Sequence, residues 1–383
     1  MSPAVAVLVV GSCVAASCAL IGCFLVLRQM ALLGDAISHA VLPGIALAFL
    51  LSGSRDPFSM VLGAGLLGVV TVFLVELGTR TRRLQEDASI GVVFPALFSI
   101  GVILIARYAG QVDLDLECVL YGEIAYAPYD LFYWGERALG PRALWINGVI
   151  LVLVGAFVTL FYKELKLTTF DAGLAAALGF APVLVHYLLM GMLSITVVGA
   201  FESVGAILVV AMLVVPPATA YLLTERLGLM LGLSVAFGLA AAWLGYAVAG
   251  WLDASIAGAM AMVSGLLFAV VFVAAPRHGL LAKLLRQRRL GRGMAEQLLL
   301  LHVAGEDAGD GVPVPAGDAP ADHLELVARR FAWPRRRLEA IARRLRQRGW
   351  LEQSADGRLV LTADGASALD RSGQATLRHP LAE

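Results

Sequence analysis

From Pro3 to Ala275 the chain is a series of apolar runs broken by short polar stretches. A helix needs about 20 mainly apolar residues to cross a bilayer. Runs of that kind lie near residues 4–27, 36–52, 57–78, 89–106, 143–162, 182–201, 203–223, 228–250 and 255–275. They predict an all-α polytopic membrane protein with eight to nine transmembrane helices. The second run is short and polar at its start, and the sixth and seventh are parted only around Glu202. The chain is apolar from Pro3 onward with no basic stretch before it, so the first run reads as a retained helix rather than a cleaved signal.

The pattern changes after residue 276. Residues 304–322 are rich in Gly, Pro, Ala and Asp and read as a linker. Residues 323–348 alternate basic and apolar positions at helical spacing. A strand, an Asp-Gly turn at Asp356 and Gly357 and a second strand follow. Helices followed by a β-hairpin predict a small α+β domain of winged-helix type. The expected organisation is a membrane domain over 1–276, a basic segment and linker over 277–322, and a winged-helix-like domain over 323–383.

Charge sharpens this division. The 29 Lys/Arg and 29 Asp/Glu cancel. Residues 1–276 nevertheless hold 11 basic and 16 acidic residues, and residues 277–383 hold 18 and 13. Arg28, Arg80, Arg82, Arg83, Lys163, Lys166, Arg226, Arg277 and Lys283 all follow odd-numbered spans. The excess of Lys/Arg in cytoplasmic loops then puts that side and the tail in the cytoplasm. The loop of residues 108–142 faces outward and carries six acidic residues, among them Asp130, which would attract cations if they form a vestibule. Cys13, Cys18 and Cys23 lie in the first run and Cys118 in a loop; their spacing implies neither a disulfide framework nor a thiolate metal site.

Two ionisable residues interrupt the second apolar run. Asp35 and His39 stand four apart and share a helix face. A carboxylate and an imidazole suit Zn²⁺, Mn²⁺ or Fe²⁺ better than Ca²⁺ or Mg²⁺. Ionisable groups within a span usually face a polar path. Pro43 and Gly44 loosen the helix just beyond, as in the broken helices of transport paths. Against this, Asp35 could N-cap a helix that begins near Ala36, and His39 could bond a neighbouring carbonyl. Glu202 is either a third ligand or an interfacial residue in a turn. His186, alone in its span, reads as a packed histidine, and Asp253 as the cap of the ninth span. The chain contains no Gly-x-x-x-x-Gly-Lys-Ser/Thr loop. It is therefore expected to hydrolyse no ATP itself and not to be an enzyme.

Together these segments resemble the ABC-3 family, the permease subunits of zinc, manganese and iron ABC importers. The resemblance rests on "LRQMALLGDAISHAVLPGIALAFLL", "EDASIGVVFPALFSIGVIL", "VDLDLECVLYGEI", "TTFDAGLAAALGF" and "VGAILVVAMLVVPPATA", in the family's order. It implies that Asp35 and His39 coordinate the transported ion, with no tightly bound cofactor. It implies a separate ATPase subunit, contacted through a loop with Asp171, Ala175 and Gly179 at matching positions. It further implies an extracytoplasmic metal-binding protein and a second permease, identical or paralogous, with the chain itself in the cytoplasmic membrane.

The tail resembles the N-terminal half of the diphtheria-toxin-repressor family. "LTADG" matches that family's turn, and "LRHPLAE" places His379 and Glu383 at the spacing of two of its metal ligands, with Pro380 in place of a helix former. Arg335, Arg336, Arg337, Arg343 and Arg344 supply charge for phosphate contacts. A regulatory or protein-contact role is favoured over sequence-specific nucleic-acid binding. The alternative reading of the whole chain is a membrane-tethered, metal-responsive regulator acting through this tail.

Overall fold

The structure, a computed structural model, describes residues 2–52, 57–80, 85–108, 124–134, 137–275, 279–307, 333–354 and 359–369. The chain divides into two compact units, Met1–Leu281 and Ala282–Glu383.

The first unit is a helical bundle. Its elements are α1 (Pro3–Leu27), α2 (Leu32–Ser52), α3 (Pro57–Arg80), α4 (Glu86–Tyr108), β1 (Leu131–Trp134), β2 (Arg137–Pro141), α5 (Arg142–Leu160), α6 (Tyr162–Phe170), α7 (Ala172–Ala177), α8 (Pro182–Val204), α9 (Ala206–Leu223), α10 (Leu227–Leu252) and α11 (Ile256–Ala274). Among the described residues, eight helices are long and apolar enough to cross a membrane. The ninth expected run is α2, a 21-residue helix that carries Asp35, His39 and Pro43.

Two groups of helices make the bundle. α1 packs against α5, α9 and α10, and α11 closes on α9 and α10. α2, α3 and α4 form the other group, and α8 touches α1, α2, α3 and α5. The helices meet through small residues, as packing in lipid favours. A Cβ on Gly22 of α1 would meet the carbonyl of Leu213 on α9. Pro217, four residues on, has no N–H to give that carbonyl. Gly22 therefore lets α1 lie against a backbone oxygen that its own helix leaves unbonded. In the same way Gly44 admits the backbone of Gly63 and Ala64, and Gly101 of α4 admits the ring of Pro43. Hydroxyls pin further crossings: Ser194 donates to the carbonyl of Gly65 at 3.0 Å and Ser234 to that of Ala19 at 3.3 Å.

Two expectations need correction. Asp253 does not cap the last span. It ends α10 in the left-handed region (φ 51°), and Ser255 caps α11 by accepting from the Gly258 N–H at 3.4 Å. The second concerns residues 131–134 and 137–141, which pair as antiparallel strands, Leu131 opposite Pro141 and Tyr133 opposite Ala138. They were expected to be plain loop.

The second unit contains α12 (Leu280–Asp307, which begins at the unit boundary), α13 (Arg335–Gln347), β3 (Leu351–Gln353) and β4 (Leu359–Leu361), with helical turns over 363–369. β3 and β4 pair antiparallel, Leu351 opposite Leu361. The Asp356–Gly357 turn lies outside the described residues. α13 buries Leu338, Ile341, Ala342 and Leu345 against Ala295, Leu299, Leu300 and Val303 of α12 and against Leu351 and Leu359 of the hairpin. The second half of α12, which the sequence reading leaves in a basic segment, thus supplies one wall of the tail's core.

Candidate metal path and coupling surface

α2 begins at Leu32, earlier than the pattern suggests, so Asp35 lies inside its first turn rather than at its cap. The side chain turns to its i+4 neighbour: His39 Nε2 lies 3.5 Å from Asp35 Oδ1. The imidazole is walled by two rings of α4, Phe94 at 4.7 Å and Phe98 edge-on at 5.9 Å. Those rings pack on the imidazole and restrict its rotation. The pair is not sealed, since Asp35 is 46% and His39 27% exposed. Just beyond, Pro43 has no N–H for the carbonyl of His39. A carboxylate, an imidazole and a freed carbonyl therefore follow one another along one helix.

Two side-chain ligands are too few for a first-row ion, which takes four or more. Among the described residues no group of three or more His, Cys, Asp and Glu side chains comes together. Glu202 stands elsewhere, near the end of α8, with Arg142 Nη2 at 3.8 Å. The two line a cavity of about 100 Å³ with Asp130, Tyr126 and Ser203. Asn147 Nδ2 donates to Ser203 beside it at 2.8 Å. Of the acidic loop, residues 113, 115, 117, 123 and 136 lie outside the described residues, as do His379 and Glu383 of the tail.

The segment after α5 is built as an exposed knob. Asp171 caps α7 by accepting from the Leu174 N–H at 2.8 Å. Ala175 is fully buried and is the anchor of the short helix. Gly179 takes φ +86°, and the N–H groups of Gly179 and Phe180 return to the carbonyls of Ala176 and Ala175. The three positions are thus cap, anchor and left-handed exit. Between them Leu174 is 48% and Leu178 61% exposed, beside exposed Ala172, Gly173, Ala176 and Ala177.

At the same end of the bundle lies a polar cluster that sequence reasoning missed. Arg28 ends α1 and donates from Nη2 to Thr168 Oγ1 at 3.0 Å and from Nε to Thr169 Oγ1 at 3.1 Å. Its Nη1 lies 3.3 Å from His186 Nδ1. His186 is thereby a hydrogen-bonded, packed histidine, as expected. Tyr187 donates to Glu76 Oε2 beside it. Arg28, Glu76 and His186 line a cavity of about 310 Å³. No sequence motif joins positions 28, 76, 168 and 186. The one signal was a basic residue closing an apolar run.

Comparison with known proteins places these features in context. The sequence profile of the ABC 3 transport family matches residues 3–275. The manganese transport system membrane protein MntD of Bacillus subtilis is 49% identical over 280 residues, 73% of this chain and 95% of that protein. The zinc transport system membrane protein TroD of Treponema pallidum is 41% identical over 361 residues, 94% of this chain and 96% of that protein, so its likeness extends into the tail. Among solved structures, PsaBC from Streptococcus pneumoniae in complex with Fab superposes with a TM-score of 0.60 at 32% identity, covering 71% of this chain and 92% of that one.

Proposed function

The chain belongs to the ABC 3 transport family, and on that premise we propose that it is the permease subunit of an importer for a divalent transition metal, Mn²⁺, Zn²⁺ or Fe²⁺. The observation that carries this is the Asp35–His39 pair, 3.5 Å apart and half-open on a helix loosened by Pro43. An ionisable side chain inside a membrane span is costly and usually faces a polar path. A passing cation offsets that cost, whereas a merely structural pair would be closed in. The pair is half of a site. A second permease, the same chain or a paralogue, presenting its own carboxylate and imidazole would complete four ligands.

The remaining parts follow from this reading. The end bearing Arg28 and α7 faces the cytoplasm, with the tail, in the cytoplasmic membrane. A separate ATPase seats on the Leu174–Leu178 face and supplies the energy. An extracytoplasmic metal-binding protein delivers the ion near Glu202 and Asp130, and Glu202 acts there on arriving ions rather than with Asp35. The test is metal uptake in cells carrying the full importer, with Mn, Zn and Fe supplied in turn, wild type beside His39→Ala. Loss of uptake of one metal with normal membrane assembly is expected. Unchanged uptake would mean that the pair is structural.

A second reading concerns the tail alone. α13 seats its apolar face on the α12 wall and leaves Arg336, Arg337, Arg343 and Arg344 exposed. This winged-helix-like unit then serves as a regulatory module on the transporter, and the spans are not its mere anchor. His379 and Glu383 are its candidate metal ligands. Deregulated rather than lost uptake after removal of the tail supports this reading, and lost uptake with intact spans opposes it.

A further inference from the structure

We propose that Arg28 is the positioning residue that transmits movement of the α6–α7 knob to the metal-binding helix α2. This rests on the reading of α7 as the seat of the ATPase.

Three observations converge on the side chain. First, its planar guanidinium grips two consecutive α6 hydroxyls, Thr168 and Thr169, and reaches His186 on α8. Thr168 passes the grip on, since its own hydroxyl donates to the Glu164 carbonyl at 2.8 Å. These threonines stand three and two residues before Asp171, the cap of α7. Second, the joint between Arg28 and α2 is short and braced. Gln29 takes a left-handed conformation (φ 61°), the Met30 N–H returns to the Leu25 carbonyl at 2.9 Å, and the Leu33 N–H bonds the Met30 carbonyl at 3.2 Å. α2 starts at Leu32, and Asp35 is seven residues beyond Arg28. Third, Arg28 accounts for groups that would otherwise suggest a second ion site. Its donation to His186 Nδ1 leaves the ring proton on Nε2, and a fixed cation beside Glu76 opposes a metal ion in that cavity.

Displacement of α6 must therefore either carry the α1–α2 turn with it or break all of these bonds together. A residue that only braced the fold would, when altered, lower stability or assembly and leave the transport-to-hydrolysis ratio unchanged. Lysine keeps the charge and three donors on one atom, but loses the planar fork that spreads them over Thr168, Thr169 and His186.

The test uses the complete importer with its ATPase, purified and reconstituted into vesicles with Mn²⁺ and, in parallel, Zn²⁺. The readout is metal moved per ATP hydrolysed, together with co-purification of the ATPase. Arg28→Lys is expected to leave co-purification intact and lower the transport-to-hydrolysis ratio about tenfold, within the usual range for coupling between sites. Thr169→Val removes one acceptor and no charge, and should lower the same ratio by a smaller factor. It serves if Arg28→Lys fails to assemble. An unchanged ratio in the assembled variant, whatever the absolute rates, overturns the proposal. Leu174→Glu, on the exposed face of α7, separates the two readings. If it leaves the ATPase bound, the seat itself is misplaced. If it releases the ATPase while Arg28→Lys stays fully coupled, the transmission role alone fails.

Discussion

The membrane bundle and the tail are both made of packed helices, yet their helices meet differently. In the bundle, glycine brings backbone against backbone: Gly22 on the Leu213 carbonyl, Gly44 on Ala64, Gly245 on Met260. In the tail, large aliphatic side chains fill the space between helices: Leu299 and Leu300 against Leu338, Ile341 and Leu345, beneath an exposed row of arginines. The solvent explains the difference. In water, burying a leucine side chain is itself favourable by about 1.5–3 kcal/mol. In lipid a leucine gains nothing by leaving the acyl chains, so close approach and polar contacts must do the joining. One chain thus follows two packing rules, one in each unit.

The largest expected effect lies in the bundle, at the proposed ion path. Asp35→Ala should reduce metal uptake to background, read as cell metal content, while the protein still reaches the membrane. Next in size is Gly22→Leu. Its side chain meets the Leu213 carbonyl, and overpacking costs about 1–3 kcal/mol, or more where backbone is struck. The expected result is a protein that no longer purifies as a monodisperse species in detergent.

In the tail the corresponding change removes bulk. Leu345→Ala leaves a cavity and should cost about 2–5 kcal/mol. That should appear as lost hydrogen-exchange protection over α13, with α1–α11 unchanged. Truncation sharpens the boundary. A chain ending at Leu281 should stay well behaved. One ending at Ala304 keeps Leu299, Leu300 and Val303 without their cover and should aggregate. Smallest is Arg348→Ala, which removes an ion pair with Glu296 at 3.0 Å. Arg348 is half-exposed, so the change in tail stability should stay below about 1 kcal/mol in denaturant titration.

What could be read from the sequence follows the same division. Spans announce themselves because lipid demands long apolar runs, and the Asp35–His39 pair stands out because charge is rare there. Asp171, Ala175 and Gly179 were found by motif, and the fold gives each a local task. The β1–β2 pairing was missed because "LFYW" is as apolar as the start of a span and too short to show alternation. The wall of the tail's core was missed because "EQLLLLHVAG" adjoins the basic segment, and its partners lie some forty residues away. Of the Arg28 cluster only the basic end of α1 and the lone His186 could be noticed, not their meeting. Its members come from four elements, and only the fold brings them together.

The α7 knob has a consequence for how such importers diversify. One buried methyl group, at Ala175, is its hold on the bundle, and Asp171 and Gly179 shape its ends locally. The exposed positions between them carry no duty in the fold. On the reading of α7 as the seat of the ATPase, these six positions, 172–174 and 176–178, are where a permease can be rewritten to take another motor while its own packing stays unchanged.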